Sequence, residues 1–251
     1  MIAQVGTPRR LSKPPIREAL IDIRTASDPA VDLERLKGIK ADLISKYPLV
    51  EEKRAFKAEL RVESGKVLPP SAEDLGFAAF VFSAADKKRL VQIRRDGFTV
   101  NHVGDYRDAD ELMRDALDVA VLYWRIAAPV AITRIAMRYI NALNLPYGPG
   151  EDFRKYLTVP PDMPEGTPQL ASSFLSRMVA HDGDDVVVLT QKMDESVADG
   201  TTPVTIDLDV FYEGQTDARL EEVSSLLKRL RTLKNRTFFA LLTDEALELY
   251  T

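Results

Sequence analysis

The chain has 251 residues, of which 45% are hydrophobic, and a net charge of −5 at pH 7. This is enough apolar material for one large domain or two small ones. The negative total disfavours nonspecific binding to nucleic acid or to an anionic membrane. The sequence has no cysteine and two histidines, His102 and His181. It therefore excludes disulfides, thiolate chemistry and cysteine metal sites, and it lacks the usual parts of histidine metal centres.

No apolar run approaches the roughly 20 residues that a membrane-spanning helix needs. The N-terminal stretch from Met1 to Pro15 also lacks the apolar segment of a signal peptide. We therefore predict a cytoplasmic protein that does not bind membranes.

The first elements along the chain are predicted to be a strand and a helix. Apolar residues alternate from Arg17 to Arg24, which places Glu18 and Asp22 on the polar face of a strand. The helix after it is predicted to begin at Asp28-Pro29, as an N-cap and a first-turn proline, and to end before Pro48.

Four strand-like segments and a second helix complete the first half. Asp96-Gly97 is typical of a two-residue hairpin between the last two of these strands. Asp108 and Glu111 then resemble a capping box at the start of the helix. The four strand segments are KAELRVE, FAAFVFS, RLVQIRR and FTVNHV.

The second half shows a similar order of elements. It opens on RIAMRYINALNLP, from Arg134 to Pro146, which alternates as a strand, and a short helix is predicted at Asp152 to Leu157. Asp182-Gly183 predicts a second hairpin. The strand VTIDLDVFY follows, then a helix from Thr216 or Asp217 and a last helical segment, RTFFALLTDEALELY.

This order predicts an α+β protein with one long, mostly antiparallel sheet and its helices on one face. Residues 1–127 form a β-α-β4-α half and residues 128–251 a β-α-β3-α half, packed as one continuous unit. The arrangement is similar to TATA-binding-protein-like folds, an analogy of topology that carries no function. Internal duplication is a hypothesis drawn from element order, and two separately folded domains are the alternative.

The uncovered face of the sheet is predicted to be a mixed field of charges. Alternation places Arg134 and Arg138 on that face, together with Glu18, Asp207 and Asp209. Cross-strand pairs of opposite charge stabilise a sheet by roughly 0.2–1 kcal/mol each, so we favour a structural ladder of ion pairs. The alternative is that the two arginines hold a carboxylate or phosphate, with the acids as acid, base or metal ligand.

Asn141 lies in the same strand but on the apolar side. A buried side-chain amide needs hydrogen-bond partners, so we expect it to bond the backbone of a bulge or a loop.

Two charged motifs have a structural and a functional interpretation. The segment KRLRTLKNR contains Lys228, Arg229, Arg231, Lys234 and Arg236. Basic residues at a helix end complement the helix dipole, which we favour over nucleic-acid binding for an acidic protein. The segment HDGDD, residues 181–185, lacks the spacing of a calcium loop and is predicted to be a solvated hairpin tip rather than a metal site.

Five stretches in order resemble a sporadically distributed bacterial family of about this length without an assigned activity. They are PPIREALIDI, LVQIRRDGFTVNHVGDY, RYINALNLP, TIDLDVFYEG and KNRTFFALLTDEAL. The resemblance implies that Pro15, Glu18, Arg138, Tyr139, Asn141 and Asp207 occupy the family's recurrent positions, and it implies no cofactor or reaction. One departure is that the family often has tryptophan where Asp108 to Asp110 stand here.

We therefore predict a non-enzymatic interaction or regulatory module, with no catalytic residues, cofactor or metal. Its partner is expected to be another protein or a second copy of the chain, through sheet edges or helices. Small-anion binding or hydrolysis on the uncovered face is the first alternative, and nucleic-acid binding through the basic helix is the second.

Overall fold

The computed structural model describes residues 10–27, 31–59, 62–63, 66–67, 71–104, 106–147, 152–160, 162–168, 172–193 and 200–251. They form an antiparallel sheet of nine strands with helices packed on it, an α+β fold. The predicted fold class is confirmed. Two further short strands, β3 (Val62–Glu63) and β4 (Lys66–Val67), pair with each other in a separate small sheet.

The strands of the large sheet are joined in the order β2-β5-β6-β7-β1-β8-β11-β10-β9. The strands β2 and β9 are therefore its two edges, and β1 and β8 are neighbours inside it. The bounds are β1 (Ile16–Ala26), β2 (Leu49–Glu59), β5 (Ser71–Ser83), β6 (Arg89–Arg94), β7 (Gly97–Val103), β8 (Ala131–Leu145), β9 (Phe174–Asp182), β10 (Asp185–Met193) and β11 (Thr202–Asp217).

The two long helices are α3 (Ala109–Ala127) and α4 (Leu220–Leu241). As predicted, α3 is capped by Asp108, whose side chain accepts a hydrogen bond from the Glu111 amide at 2.8 Å. The shorter helices are α1 (Leu33–Lys37), α2 (Lys40–Leu43) and α5 (Asp244–Glu248), and a 3-10 turn, Phe153–Lys155, replaces the predicted helix at 152–157. No helix in these described ranges is long and apolar enough to cross a membrane.

The chain divides into two compact units. Unit 1 comprises residues up to Ala19, Ala136–Glu213 and Leu226–Thr251, and unit 2 comprises Leu20–Ile135 and Gly214–Ser225. The elements β1, β8, β11 and α4 each contribute residues to both units. Internal duplication stays a hypothesis drawn from element order.

The alternation predicted for the central strands is present. The residues Ala19, Ile21 and Ile23 of β1 are fully buried, and in β11 the same is true of Ile206 and Leu208. The polar residues between them lie on the opposite face, because successive side chains of a strand point to opposite sides. In unit 2 this burial is completed by α3, where the Tyr123 hydroxyl donates to the Arg95 carbonyl oxygen at 2.9 Å.

The first predicted helix is wrong in its extent. The structure has two short helices separated at Gly38, because glycine is a poor helix residue. The Gly38 amide bonds the carbonyl oxygen of Arg35, three residues earlier, as in a 3-10 helix and not four residues earlier as in an α-helix. The N-cap is Asp32, whose side chain accepts from the Glu34 amide. The predicted cap at Asp28-Pro29 lies outside the described residues, as do Leu60 and Arg61 of the predicted strand KAELRVE.

The last helix also differs from the prediction. The strand β11 continues through Asp217, so α4 begins at Leu220 and runs without a break to Leu241. The basic segment KRLRTLKNR therefore lies in the middle of a helix and not at its end. Only α5 remains of the separate last helical segment.

Both predicted hairpins are present, each with a turn displaced by one residue from the expected position. Arg94 pairs with Gly97, so the turn residues of the β6–β7 hairpin are Arg95 and Asp96. Asp182 pairs with Asp185, so Gly183 and Asp184 form the β9–β10 turn, and Gly183 takes a positive φ of 62°. A two-residue turn of this kind needs that backbone conformation, which glycine adopts without strain.

Candidate functional site

One buried carboxylate organises the polar face of the sheet in unit 2. The Asp22 side chain is 12% exposed, and both of its oxygens accept two hydrogen bonds. Oδ1 accepts from Arg94 Nη2 and from Thr99 Oγ1, each at 2.6 Å. Oδ2 accepts from Arg24 Nε at 3.1 Å and from Arg134 Nη1 at 3.3 Å. Three guanidinium groups thus converge on one aspartate.

These contacts determine the charge state of Asp22. Burial by itself would raise the pKa of its carboxyl group, but the charges of Arg94 and Arg24 and the hydrogen bond from Thr99 together hold that pKa below its usual value. Asp96 adds a second carboxylate, 2.5 Å from Arg24 Nη1 and 3.4 Å from Arg94 Nε. We call Arg24, Arg94 and Arg134 the arginine cluster.

The polar face in unit 1 is built around a different arginine. Arg138 donates two hydrogen bonds to Asp207, at 2.9 and 2.6 Å. These bonds, together with the charges of Asp209 and Glu18, raise the pKa of the Arg138 guanidinium. The two arginines predicted to share one anion thus bond separate aspartates, Arg134 with Asp22 and Arg138 with Asp207. The arrangement fits the predicted ion-pair ladder.

Asn141 is 2% exposed and points into the covered side of the sheet. Its Nδ2 donates to the Ile206 carbonyl oxygen at 3.0 Å and lies 3.4 Å from the Tyr139 carbonyl oxygen. Both acceptors belong to strands, so the predicted bond to a bulge or loop is corrected. The amide satisfies strand backbone, which is a structural role.

The basic helix and the acidic hairpin tip bond each other in unit 1. Arg229 of α4 donates to both oxygens of Asp185, at 2.8 and 2.7 Å, and Arg236 bonds Asp182. Two of the predicted nucleic-acid residues are thus neutralised by two of the possible metal ligands. No group of three metal-ligating side chains occurs within the residues described above.

The other three basic residues of that segment have different surroundings. Lys228 is exposed and Arg231 is half-buried, whereas Lys234 is 8% exposed, with Nζ 4.0 Å from the centre of the Tyr139 ring. Burial, with a smaller contribution from Arg231, lowers the pKa of Lys234 from 10.5 to about 8. A buried lysine over an aromatic ring cannot contact a nucleic-acid backbone, so Lys234 is removed from that prediction.

Lys234→Met is expected to stabilise the protein at neutral pH. The lowered pKa means that the charged amine opposes folding below about pH 8, and that this cost disappears as the pH rises from about 8 towards 10.5. The Tyr139 ring offsets part of the cost, so we expect a gain of about 1–3 kcal/mol in the free energy of unfolding at pH 7. Urea titrations from pH 6 to 10.5 measure it.

The matched control for that prediction is Lys228→Met, on the exposed face of the same helix. It should leave the free energy of unfolding nearly unchanged at every pH. A Lys234→Met gain that does not shrink between pH 8 and 10.5 would show that the amine is not the cause.

A buried histidine and aspartate form a contact in unit 2 that sequence reasoning missed. His102 is fully buried, and its Nε2 lies 2.8 Å from Asp115 Oδ2, while Lys46 Nζ donates to Asp115 Oδ1 at 2.7 Å. Burial acts to raise the pKa of Asp115, but the bonds from His102 and Lys46 outweigh it and lower that pKa to about 2. The sequence contains a signal for this contact, because His102 and Asp115 fall at inward positions of the predicted strand and helix. The contact ties α3 to β7.

The two edge strands of the sheet differ in chemistry. In β2, LVEEKRAFKAE, six of eleven residues are charged, and its pairing with β5 is interrupted by two register shifts. Charges and bulges of this kind protect an edge from pairing with another chain. In β9 the register with β10 is unbroken from Phe174 to Asp182, and Leu175, Met178 and Val179 are 71%, 41% and 49% exposed.

An apolar strip lies beside β9 on the polar side of the sheet. Val179 pairs with Val188, and His181 pairs with Val186, which pairs in turn with Phe211. Paired residues share a face, and this face is opposite to the one that buries Val187 and Leu189. The predicted field of charges therefore gives way to apolar side chains here. We call Leu175, Val179, Val186 and Val188 the β9 patch.

The turn also decides which backbone groups of β9 are directed outward. In a two-residue turn the flanking residues, Asp182 and Asp185, form a hydrogen-bonded pair. Hydrogen-bonded and non-hydrogen-bonded pairs alternate along an antiparallel ladder, so the residues at 178 and 180 bond β10. The amides and carbonyls of residues 175, 177, 179 and 181 point away from β10, towards the edge.

The fold and these features define the class: an α+β protein with a nine-stranded antiparallel sheet, a polar face held by ion pairs and one edge strand with few charges and an unbroken register. Comparison with protein-family models finds no match, and a search of curated proteins finds no similar protein. The resemblance to a bacterial family therefore remains a prediction, as do the residues attached to it.

Proposed function

We propose that the protein is a non-enzymatic interaction module that binds an extended segment of another protein as an additional strand beside β9. The contrast between the two edges carries this proposal. Both edges expose large apolar side chains, but β2 has six charges in eleven residues and two register shifts, whereas β9 has two charges in nine residues and an unbroken register with β10. An edge of the second kind is a template for pairing with another chain.

Both components of strand addition are supported by the geometry of β9. Backbone groups at residues 175, 177, 179 and 181 supply the ladder of hydrogen bonds that gives affinity. Side chains of the β9 patch supply the selectivity, because every second residue of an added strand would face them. The exposed apolar side chains would be removed from water on binding, which stabilises the complex.

Charge indicates what the partner segment looks like. Arg177 and Lys192 share the face of the β9 patch, and Lys192 pairs with Leu175. Of the acidic residues near the patch, Asp182 lies on the other face, where it bonds Arg236, and Asp209, which pairs with Val188 on the patch face, lies two strands away from the edge. The partner that fits is an extended segment in which the residues that face the patch, every second residue of the segment, are in turn apolar and acidic. A regulatory role and a cytoplasmic location remain predictions within this proposal.

Nucleic-acid binding receives less support than this interaction. Three of the five basic residues in its predicted site are engaged elsewhere: Arg229 and Arg236 bond aspartates, and Lys234 is buried.

Val179→Pro is expected to abolish strand addition without unfolding the protein. The Val179 amide points away from β10, so proline there removes an edge donor and no bond of the β9–β10 ladder. We expect the free energy of unfolding to change by less than about 1 kcal/mol. Met178→Pro is the matched control, because it removes a ladder bond to Leu189 and should cost about 1–3 kcal/mol. Urea titration of both variants measures the difference.

Binding is tested with a synthetic nine-residue peptide, Val-Thr-Glu-Thr-Val-Thr-Glu-Thr-Val, whose valine and glutamate side chains share one face of the strand. We expect it to slow hydrogen exchange of the amides at 175, 177, 179 and 181 in the wild-type chain and not in Val179→Pro. A peptide with lysine in place of glutamate should give no protection, since it would meet Arg177 and Lys192. Equal protection by both peptides would contradict the charge argument, and no protection by either would contradict strand addition. A concentration-dependent dimer that Val179→Pro disrupts would identify a second copy as the occupant.

A further inference from the structure

We propose that a cavity between the helices α1 and α2 and the strands β2 and β5 binds a small carboxylate with an apolar chain. The cavity has a volume of about 320 Å³. All of its described lining residues belong to unit 2, whereas β9 belongs to unit 1, so the site does not depend on the interaction proposed above. The described lining residues are Lys37, Lys40, Val50, Glu52, Phe80 and Phe82.

The floor of the cavity is aromatic and already ordered. Phe80 and Phe82 of β5 are 8% and 1% exposed, and their ring centroids lie 6.4 Å apart in an edge arrangement. The Phe77 ring lies 4.7 Å from that of Phe80. Rings that are held by their neighbours form an apolar surface before any ligand arrives, which lowers the entropic cost of binding.

The pairing of β2 with β5 places the strand residues of the site on one face. Val50 pairs with Phe82 and Glu52 pairs with Phe80, both before the first register shift of this ladder. Directly paired residues of an antiparallel ladder point to the same side of the sheet. Strand β2 is an edge of the sheet, and the two lysines and the glutamate of the cavity are exposed, so a small molecule can enter from solvent.

The charges at the rim indicate an anionic head group. Lys37 Nζ donates to Glu34 Oε1 at 2.6 Å, and Glu52 Oε1 lies 4.0 Å from Arg54 Nη1, which offsets part of its charge. Lys40, in contrast, forms no hydrogen bond or ion pair with the part of the chain that the structure describes. Its ammonium group is therefore the one that we assign to the ligand.

The floor and the rim together define the class of ligand. A single ammonium group is a point charge, which suits a monoanion such as a carboxylate, whereas phosphate recognition favours several donors. The aromatic floor requires an apolar chain beside that head group. A cavity of about 320 Å³ lies at the lower end of the range of roughly 300–1,000 Å³ for small-molecule sites. A carboxylate with a medium-length alkyl chain meets these conditions.

Calorimetric titration of decanoate into the full chain at low ionic strength and pH 8 tests the head group. Lysine and carboxylate are both charged at this pH. We expect saturable binding that weakens roughly two- to fivefold in Lys40→Gln, the loss expected for an exposed ion pair, and about tenfold in Lys40→Glu, which reverses the charge. The matched control is Arg35→Gln, since Arg35 is an exposed residue of α1 that does not line the cavity. It should leave the decanoate affinity unchanged.

Val50→Phe tests the cavity itself. The larger side chain would occupy the space beside Phe82, and we expect it to weaken decanoate binding at least about tenfold. Val81→Phe is the matched control, because Val81 pairs with Glu51 and so lies on the opposite face of the sheet. It should leave the affinity unchanged. Circular dichroism and urea titration establish that each variant is folded.

Two further ligands separate the head group from the chain. Decanol, which has no charge, should bind more weakly than decanoate, and equal binding would overturn the assignment of an anionic head group. Acetate lacks the chain, and binding as tight as that of decanoate would overturn the apolar floor. The absence of saturable decanoate binding by the wild-type chain would overturn the proposal, and so would equal losses in Lys40→Gln and Arg35→Gln. Should Val50→Phe fail to fold, Lys40→Glu and decanol decide the outcome.

Discussion

Gly97→Ala is expected to cost about 4 kcal/mol or more in the free energy of unfolding, enough to leave unit 2 unfolded in many conditions. A Cβ atom at this position would lie 1.9 Å from the Ile23 carbonyl oxygen, inside β1. The φ angle of Gly97 is 140°, a conformation that residues with a side chain rarely adopt. Backbone atoms of a central strand cannot move aside without breaking the sheet. Urea titration, or the yield of soluble protein, measures the effect.

Gly104→Ala is the control that separates the strain of a positive φ from the contact that a Cβ at position 97 would make with the Ile23 backbone. Gly104 also has a positive φ, of 67°, but an added Cβ would meet no heavy atom within 4 Å in the part of the chain that the structure describes. The expected cost is therefore the conformational one alone, about 1–2 kcal/mol. Similar losses in the two variants would show that the contact with Ile23 is not what makes Gly97 necessary.

Asp22→Ala is the second substitution for which we expect a large effect, about 3–5 kcal/mol at pH 7. Removing this carboxylate leaves Arg94 buried and takes a partner from Arg24 and Arg134. A buried charge that keeps only the more distant and exposed Asp96 as its acidic partner is much more costly than a lost surface pair. Urea titration at pH 7 measures the loss.

The pH dependence of the same variant tests the cause. The folded-state pKa of Asp22 is below its ordinary value of 3.8, so its stabilisation is present above about pH 4 and is lost as the pH falls through the lowered pKa. The difference in the free energy of unfolding between wild type and Asp22→Ala should therefore become smaller as the pH falls below about 4. A difference that is constant with pH would argue for a packing effect.

Asp207→Ala provides the comparison within the same polar face. Its partner Arg138 is 44% exposed, so water can replace the lost carboxylate. We expect a loss of no more than about 1 kcal/mol. A loss as large as that of Asp22→Ala would mean that the two ion pairs do not differ in the way their burial indicates.

Alternation along single strands was predictable to the residue. The sequence of β1 places Glu18 and Asp22 opposite Ile21 and Ile23, and β11 places Asp207 opposite Ile206, as the structure has them. This follows from local geometry, because side chains of a strand alternate whatever the neighbouring strands are. The cap at Asp108 was predictable for the same reason, since its partner is three residues away.

Contacts between distant residues were not predictable in this way. Arg134 bonds Asp22, 112 positions away, and Arg229 bonds Asp185, 44 positions away. Which acid meets which arginine depends on strand order and register, and the sequence places several acids on one face without ranking them. The displaced hairpin turns at Arg95-Asp96 and Gly183-Asp184 have the same origin, because pairing across the strands decides where a turn begins.

By itself the sequence determined the α+β class, the faces of the central strands and the capped start of α3, because each depends on the periodicity or chemistry of neighbouring residues. Only the tertiary structure decided which strands become edges, and so that one edge, β2, has many charges and two register shifts while the other, β9, has few charges and an unbroken register. It also decided that Arg24, Arg94 and Arg134 meet on Asp22, since strand order is a property of the whole sheet and each of these side chains comes from a different part of it.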